Sequence, residues 1–240
     1  MTVKKNIVSP GLPASPDVLM SVSIDCVIFG LSEDSKLKVL IIKHGEGISR
    51  GKWGLPGGWI YRDEDVDDAA YRLLKDLTGL SSIYLEQLKA FGKAKRFPYG
   101  RVLTVAYSAL VRQEHFEVVA GFTASEVQWC DANACPDLIY DHNEIVRYGL
   151  DSLKHKVRHE PIGFNLLPEK FTLLQLQELY ESVLLVTLDK PNFRRKMMKM
   201  GLLIACNEKQ KQKAHRAAEL YRFDAQVYRR LTEQGFTFEV

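Results

Sequence analysis

The sequence predicts an α/β domain followed by a winged helix-turn-helix unit. Three observations lead there. Two apolar runs rich in Val, Ile and Leu are separated by a short polar turn. A Gly-rich loop runs into an amphipathic helix. Near the C-terminal end, helix, turn, helix and a basic ribbon follow in that order.

Residues 1–18 carry Gly and Pro and read as a flexible or extended arm. SVSIDCVIFG, the turn LSEDSK and LKVLIIK then read as a hairpin of two strands. The loop HGEGISRGKWGLPGGW follows, and its glycines permit dihedrals closed to other residues. Asp63 is placed to cap the next helix, in which Val66, Ala69, Ala70, Leu73, Leu77 and Leu80 recur at helical spacing. Thr78-Gly79 stops it. IYLEQLKAFG and RVLTVAYSALV are further strand-like runs, and a helical segment covers Asn143–Lys156. A boundary near Glu160–Pro161 divides the chain into 19–158 and 159–240. In the second part Thr172 caps a helix whose buried stripe is Leu173, Leu176, Leu179, Tyr180 and Val183. The turn TLDKPN leads into FRRKMMKMGLL, a helix ending at Gly201, and LLIAC and ELYRF are the two strands of the ribbon.

The chain has 240 residues, 46% of them hydrophobic and 26% charged, which excludes a disordered chain and allows two domains. Four cysteines without metal-ligand spacing argue against a disulfide framework and for a reducing cytoplasm. No run of 18 apolar residues is present, so no membrane span is expected. The net charge of +3 is unevenly spread. Residues 1–150 hold 17 Lys/Arg against 19 Asp/Glu, whereas residues 189–230 hold 12 against 4. Such a local excess favours a polyanionic partner, although a solvated basic face has the same composition.

The loop and helix at 58–80, GWIYRDEDVDDAAYRLLKDLTGL, could place backbone N–H groups against an anion. Cutting a pyrophosphate there would also need several carboxylates on one helix face to hold Mg²⁺. Glu64, Asp67, Asp68 and Asp76 are available, but Leu73 and Leu77 are apolar. This segment resembles the signature box of the Nudix hydrolases: Gly58, Glu64, Arg72, Gly79 and Leu80 match it. The resemblance implies a Nudix-like mixed-sheet α/β/α sandwich. It also places the family's metal-binding positions at Leu73, Asp76 and Leu77. The fold signal is therefore kept while the metal set is depleted, and no catalytic residue, metal site or cofactor is expected.

In the basic unit, Phe193, Met197 and Met200 would anchor the second helix. Lys190, Asn192, Arg194, Arg195, Lys196 and Lys199 would meet double-stranded DNA, with Arg194 and Arg195 on phosphates or guanine edges and Asn192 on a base. Lys211, Lys213 and Arg216 of the loop that follows would extend the contact. Residues 20–223 as a whole resemble the Nudix-related transcriptional regulators, through PIGFNLLPEKFTLLQLQELYESVL, LDKPNFRRKMMKMGLL and RAAELYRF. Many members carry Gly-Arg-Pro-Ala where this chain has His215-Arg216-Ala217-Ala218; the Arg is kept and the turn residues are not.

That resemblance implies a bacterial, homodimeric regulator. One branch represses genes of NAD metabolism and responds to ADP-ribose; another responds to arabinose or other sugars. Arg50, Lys52, Trp53, Gly58, Trp59, Lys95, Arg96 and Arg101 are the candidate effector contacts. Their cations suit the diphosphate of ADP-ribose. A neutral sugar would instead call for Asp, Asn and a stacking Trp59 or Tyr61. His142 is expected to cap or pack. An active pyrophosphatase using Glu64 and Asp76, and a protein-interaction module without a DNA role, are the competing readings.

Overall fold

A computed structural model describes residues 21–210 and 217–240. The expected arm at 1–18 lies outside the described residues. The hairpin forms as read: β1 (Ser21–Leu31) pairs antiparallel with β2 (Leu37–His44). The Gly-rich loop contributes two short strands, β3 (Trp53–Gly54) on β2 and β4 (Gly57–Trp59) on β1. Helix α1 (Val66–Thr78) is followed by β5 (Glu86–Phe91) and β6 (Val102–Arg112). β6 lies parallel to β1 along its whole length, with β5 antiparallel on its other edge. β7 (Ala124–Asp131) returns to β2 and completes a seven-stranded mixed sheet.

Side chains alternate across a strand, and β1 serves a different core on each face. Val27, Phe29 and Leu31 join one apolar cluster; Ile24, Cys26 and Ile28 join the other. Helix α1 covers the second face through Ala69, Ala70, Leu73, Leu74 and Leu77, all buried. Helix α2 (His142–His159) covers the first through Ile145, Val146, Leu150, Leu153 and Val157. Each buried Leu or Val there contributes about 1.5–3 kcal/mol. The sandwich is thus α/β/α.

Helix α1 begins two residues later than Asp63 suggests. Asp65 holds the extended cap position, without a side-chain cap hydrogen bond. Gly79 ends the helix in the left-handed region, at φ 75°, and its N–H donates to the Lys75 carbonyl.

After α2 a 3-10 turn (Pro161–Leu166) leads to α3 (Leu173–Leu184) and α4 (Lys190–Lys199). Thr172 and Gln175 form a reciprocal capping box at α3, and Asp189 caps α4. The ribbon is β8 (Leu203–Lys209) with β9 (Glu219–Phe223). Phe171 and Tyr221 exchange backbone hydrogen bonds, which ties the ribbon to the start of α3. A final helix, α5 (Ala225–Glu233), was not expected from the sequence. Its Val227, Tyr228 and Leu231 pack on the same cluster as Phe164, Phe223 and Phe238. The first apolar cluster runs without a break from the sheet through α2 into α3 and α4.

Candidate functional site: a sensing cleft and a basic helix

The cleft forms where β1, the Gly-rich loop, the 92–101 loop and the start of α2 meet. Two cavities of about 450 Å³ and about 180 Å³ share Ile48, Ser49, Ile139 and Tyr140 as walls. The floor of the smaller one is a buried charge cluster. The Arg96 guanidinium donates to Asp141 at 2.8 and 2.9 Å and to Asp25 Oδ2 at 3.1 Å. Its side chain is only 4% exposed. Arg96 is therefore a neutralised strut, not a free cation awaiting a phosphate. Removing Arg96 would leave two buried carboxylates without their counter-charge.

His142 closes this floor. Its Nδ1 accepts the Leu55 N–H at 2.9 Å, and its Nε2 faces Asp25 Oδ1 at 3.5 Å. Burial holds His142 below the usual imidazole range, against the pull of Asp25, so it is neutral. His44 is lowered for the same first reason, and among the described residues its buried Nε2 has no hydrogen-bond partner. Gly57 is required where the loop crosses β1: a Cβ there would sit 2.3 Å from the Ile24 carbonyl oxygen and 2.6 Å from Asp25 Oδ1.

Aromatic edges form the walls. Phe97 meets Trp59, Tyr99 and Tyr140 with ring centroids 6.2, 5.5 and 5.0 Å apart. Trp59 and Tyr99 are more than half exposed. The Tyr140 hydroxyl lies 2.6 Å from Ser49 Oγ, and Tyr140 has φ 55°, a conformation bulky residues avoid. A strained aromatic at a cleft wall points to a functional constraint.

Of the candidate effector residues, Lys52, Trp53, Gly58, Trp59 and Arg96 line the cleft. Arg50, Lys95 and Arg101 are exposed and line neither cavity. Arg101 instead donates to the Gly92 carbonyl at 2.6 Å and braces its loop. Asp25, His44, Phe97, Tyr99 and Tyr140 were not anticipated. Asp25 had a readable signal: a carboxylate in the middle of an apolar strand, 5% exposed.

The box residues have structural duties. Arg72 holds Glu64 through two hydrogen bonds, reaches the Trp59 carbonyl at 3.1 Å and lies over the Tyr61 ring at 4.1 Å. That bond from Arg72 lowers the Glu64 carboxyl from its ordinary value. Arg72 thereby covers one face of the Tyr61 ring, and Tyr61 lines neither cavity. Leu73 and Leu77 are 6% and 2% exposed in the apolar cluster under the sheet. A Cβ on Gly58 would come within 2.8 Å of the Leu73 methyl. Two buried leucines and an exposed Asp76 do not fit a Mg²⁺ ion, which takes oxygen ligands.

The second site is the winged unit. Phe193 and Met197 are buried, and Phe193 packs against Tyr180 at 5.7 Å. This turns Lys190, Arg195, Lys196 and Lys199 outward, all exposed. Arg194 departs from the expected outward position. It is half-buried and lines a groove with Thr172, Lys209, Glu219 and Tyr221. Asn192 is exposed, but its Oδ1 accepts from Arg195. Lys209 is exposed at the end of β8, whereas Lys211, Lys213 and Arg216 lie outside the described residues.

Comparison with known proteins bears on both sites. The NUDIX domain model matches residues 21–149, and the NrtR DNA-binding winged helix domain model matches residues 163–223. The ADPR responsive transcriptional repressor NtrR of Acinetobacter baylyi is 33% identical, over 89% of this chain and 85% of that protein. An ADP-ribose pyrophosphatase of Methanocaldococcus jannaschii is 31% identical over 46% of this chain and 64% of its own length. The NrtR of Shewanella oneidensis, solved with a 27mer DNA, superposes with a TM-score of 0.66 at 28% identity, covering 85% of this chain and 93% of that one. Its NUDIX domain, solved with ADP ribose, gives 0.52 at 28% identity over 57% and 90%.

Proposed function

The chain belongs to the Nudix-related transcriptional regulators, and we propose that it is a repressor whose grip on operator DNA is released by ADP-ribose. The observation that carries this reading is the pairing of an open cleft with a depleted metal set. The cleft has aromatic walls and the Lys52 cation, while Leu73 and Leu77 fill the positions where metal carboxylates would stand. Such a cleft can bind a nucleoside diphosphate sugar without cutting it. An adenine would stack among Trp59, Phe97 and Tyr140, and the diphosphate would lie toward Lys52. By the same argument the chain is not a hydrolase.

Binding and release are linked by differential affinity. Helix α2 starts with His142 in the cleft, next to Asp141, and packs on α3 of the DNA unit. The β1–β2 turn also touches α3, where Ser182 donates to the Ser35 carbonyl. Arg112 of β6 donates to the Leu166 carbonyl. A shift at the cleft wall can therefore reach the DNA unit through α2, and the sheet touches that unit at two further points. The reading takes residues 19–158 as the sensing domain and 159–240 as the DNA-binding domain. A homodimer would present two copies of α4 to a palindromic operator. Lys190, Arg195, Lys196 and Lys199 contact the duplex, and Lys211, Lys213 and Arg216 are proposed to add further contacts to it.

A thermal-shift screen tests the effector. A ligand that binds only the folded chain raises its melting point. ADP-ribose is expected to do so, and arabinose and xylose are not. A shift with a neutral pentose and none with ADP-ribose would move the chain to the sugar-responsive branch. Steady release of AMP from ADP-ribose, lost in Asp76→Asn, would establish a hydrolase instead.

A further inference from the structure

β7 and the loop that runs from it to one cleft wall carry a pair of thiols. Cys130 is the last residue but one of β7, and its Sγ lies 3.3 Å from the Sγ of Cys135. Both side chains are half-buried, so a small oxidant can reach them. The segment between them turns back on itself: Asp131 accepts the Asn133 N–H at its side chain and the Ala134 N–H at its carbonyl. The other two thiols lie elsewhere, Cys26 buried in β1 and Cys206 in β8. The hydrogen bond between the pair holds the Cys135 thiol below its ordinary range and pushes Cys130 up. Of the two, Cys135 is accordingly the thiol that loses its proton more readily.

We propose that Cys130 and Cys135 form a reversible disulfide when the chain meets a peroxide, and that this bond resets the sensing cleft. In the first step the Cys135 thiolate attacks one peroxide oxygen. The O–O bond breaks, and hydroxide leaves and takes a proton to become water. Cys135 is then a sulfenic acid. Cys130 sulfur next attacks that sulfur, and the S–O bond breaks. The departing hydroxide takes the Cys130 proton as a second water. Two thiols and one peroxide give one disulfide and two waters.

The bond requires the sulfurs to close to about 2.05 Å, a movement of roughly 1.2 Å. Any part of that movement taken up by the backbone at Cys135 is passed to the segment that follows it. Asn143, in the first turn of α2, accepts the Leu138 N–H and donates to the Pro136 carbonyl, each at 2.8 Å. Leu138, Ile139 and Tyr140 beyond it are walls of the cleft. Displacing Cys135 draws the 136–140 wall toward β7 and alters the space that receives the ligand. The disulfide itself stands on geometry alone; its effect on ADP-ribose rests on the reading above.

The full chain is oxidised with hydrogen peroxide, alkylated under denaturing conditions and cleaved at Asp131, which separates the two cysteines. The expected result is the loss of two free thiols per chain, a Cys130–Cys135 linked peptide in the mass spectrum and recovery with dithiothreitol. Neither C130S nor C135S should give that peptide. Four free thiols after oxidation, or a link involving Cys26 or Cys206, would overturn the proposal. Calorimetric titration with ADP-ribose then reads the coupling. Oxidised wild type should bind at least threefold more weakly than reduced, while C135S should bind equally under both conditions. Linked but unaltered binding would overturn the coupling; absence of binding in the reduced chain would count against the effector assignment instead.

Discussion

Replacing Arg195 with Ala should lower the salt dependence of DNA binding by about one phosphate contact, while Arg194→Ala should not. The outward cations of α4 are Lys190, Arg195, Lys196 and Lys199, and Lys209 is exposed at the ribbon. If each of these five neutralises one phosphate, together they contribute about −4.5 per bound chain to the slope of log K against log salt. Between 50 and 200 mM salt their share is a loss of about 500-fold in affinity. Removing Arg195 brings that share to about −3.6 and about 150-fold. Arg194 is turned into the groove beside Glu219 and Tyr221, so its removal should weaken binding through the ribbon's placement and leave the slope unchanged. Fluorescence anisotropy of a labelled duplex at four salt concentrations reads these slopes. The reasoning is refuted if R195A keeps the wild-type slope, or if R194A reduces it as much as R195A does.

Arg96→Met should destabilise the fold by about 3–5 kcal/mol in urea unfolding, because Asp25 and Asp141 are left as uncompensated buried charges. A cost near zero would mean that the cluster is not a strut. Leu77→Glu should cost about 3–5 kcal/mol at pH 7, since the position is 2% exposed among apolar neighbours, and should give no turnover of ADP-ribose with Mg²⁺. Turnover in that variant would show the metal site to be one residue from repair. His142 and His44 are both lowered by burial, so the folded chain resists the proton that the unfolded chain accepts. Their contribution is therefore fully present above the ordinary imidazole value near 6.5 and is lost progressively as pH falls from there through the lowered values of the folded chain. Urea midpoints should drop from pH 7.5 to 5.5, and His142→Gln, which can still accept the Leu55 N–H, should flatten that drop.

Much of the fold could be read from periodicity, and the exceptions have physical causes. The β1–β2 hairpin, α1, the Thr172 cap and the order α3, α4, β8, β9 all follow from local signals. β7 did not, because Ala124–Asp131 is an edge strand in which Ser125, Glu126 and Gln128 are exposed and no long apolar run develops. β3 and β4 are two and three residues long and exist only by pairing with β2 and β1. Helix α5 was missed although Asp224 caps it with two hydrogen bonds and Val227 and Leu231 are four apart. The cleft was harder. Cationic residues near the loop were expected to serve the ligand, yet Arg96 is spent on Asp25 and Asp141, 71 and 45 residues away. Pairings at that separation leave no local pattern. Cys130 and Cys135 are only five residues apart, but their contact depends on the turn at Asp131–Ala134 and not on a recognised spacing.

The central claim is that one chain binds duplex DNA through α4 and lets go when its cleft is filled. The direct measurement uses a labelled duplex selected from a random library by the ligand-free protein. ADP-ribose is titrated into the complex, and anisotropy follows release. The account predicts a saturable fall in anisotropy with intact ADP-ribose recovered afterwards, and no fall with arabinose. Anisotropy that stays unchanged at ligand concentrations that saturate the cleft, or release that requires hydrolysis of ADP-ribose, would contradict it.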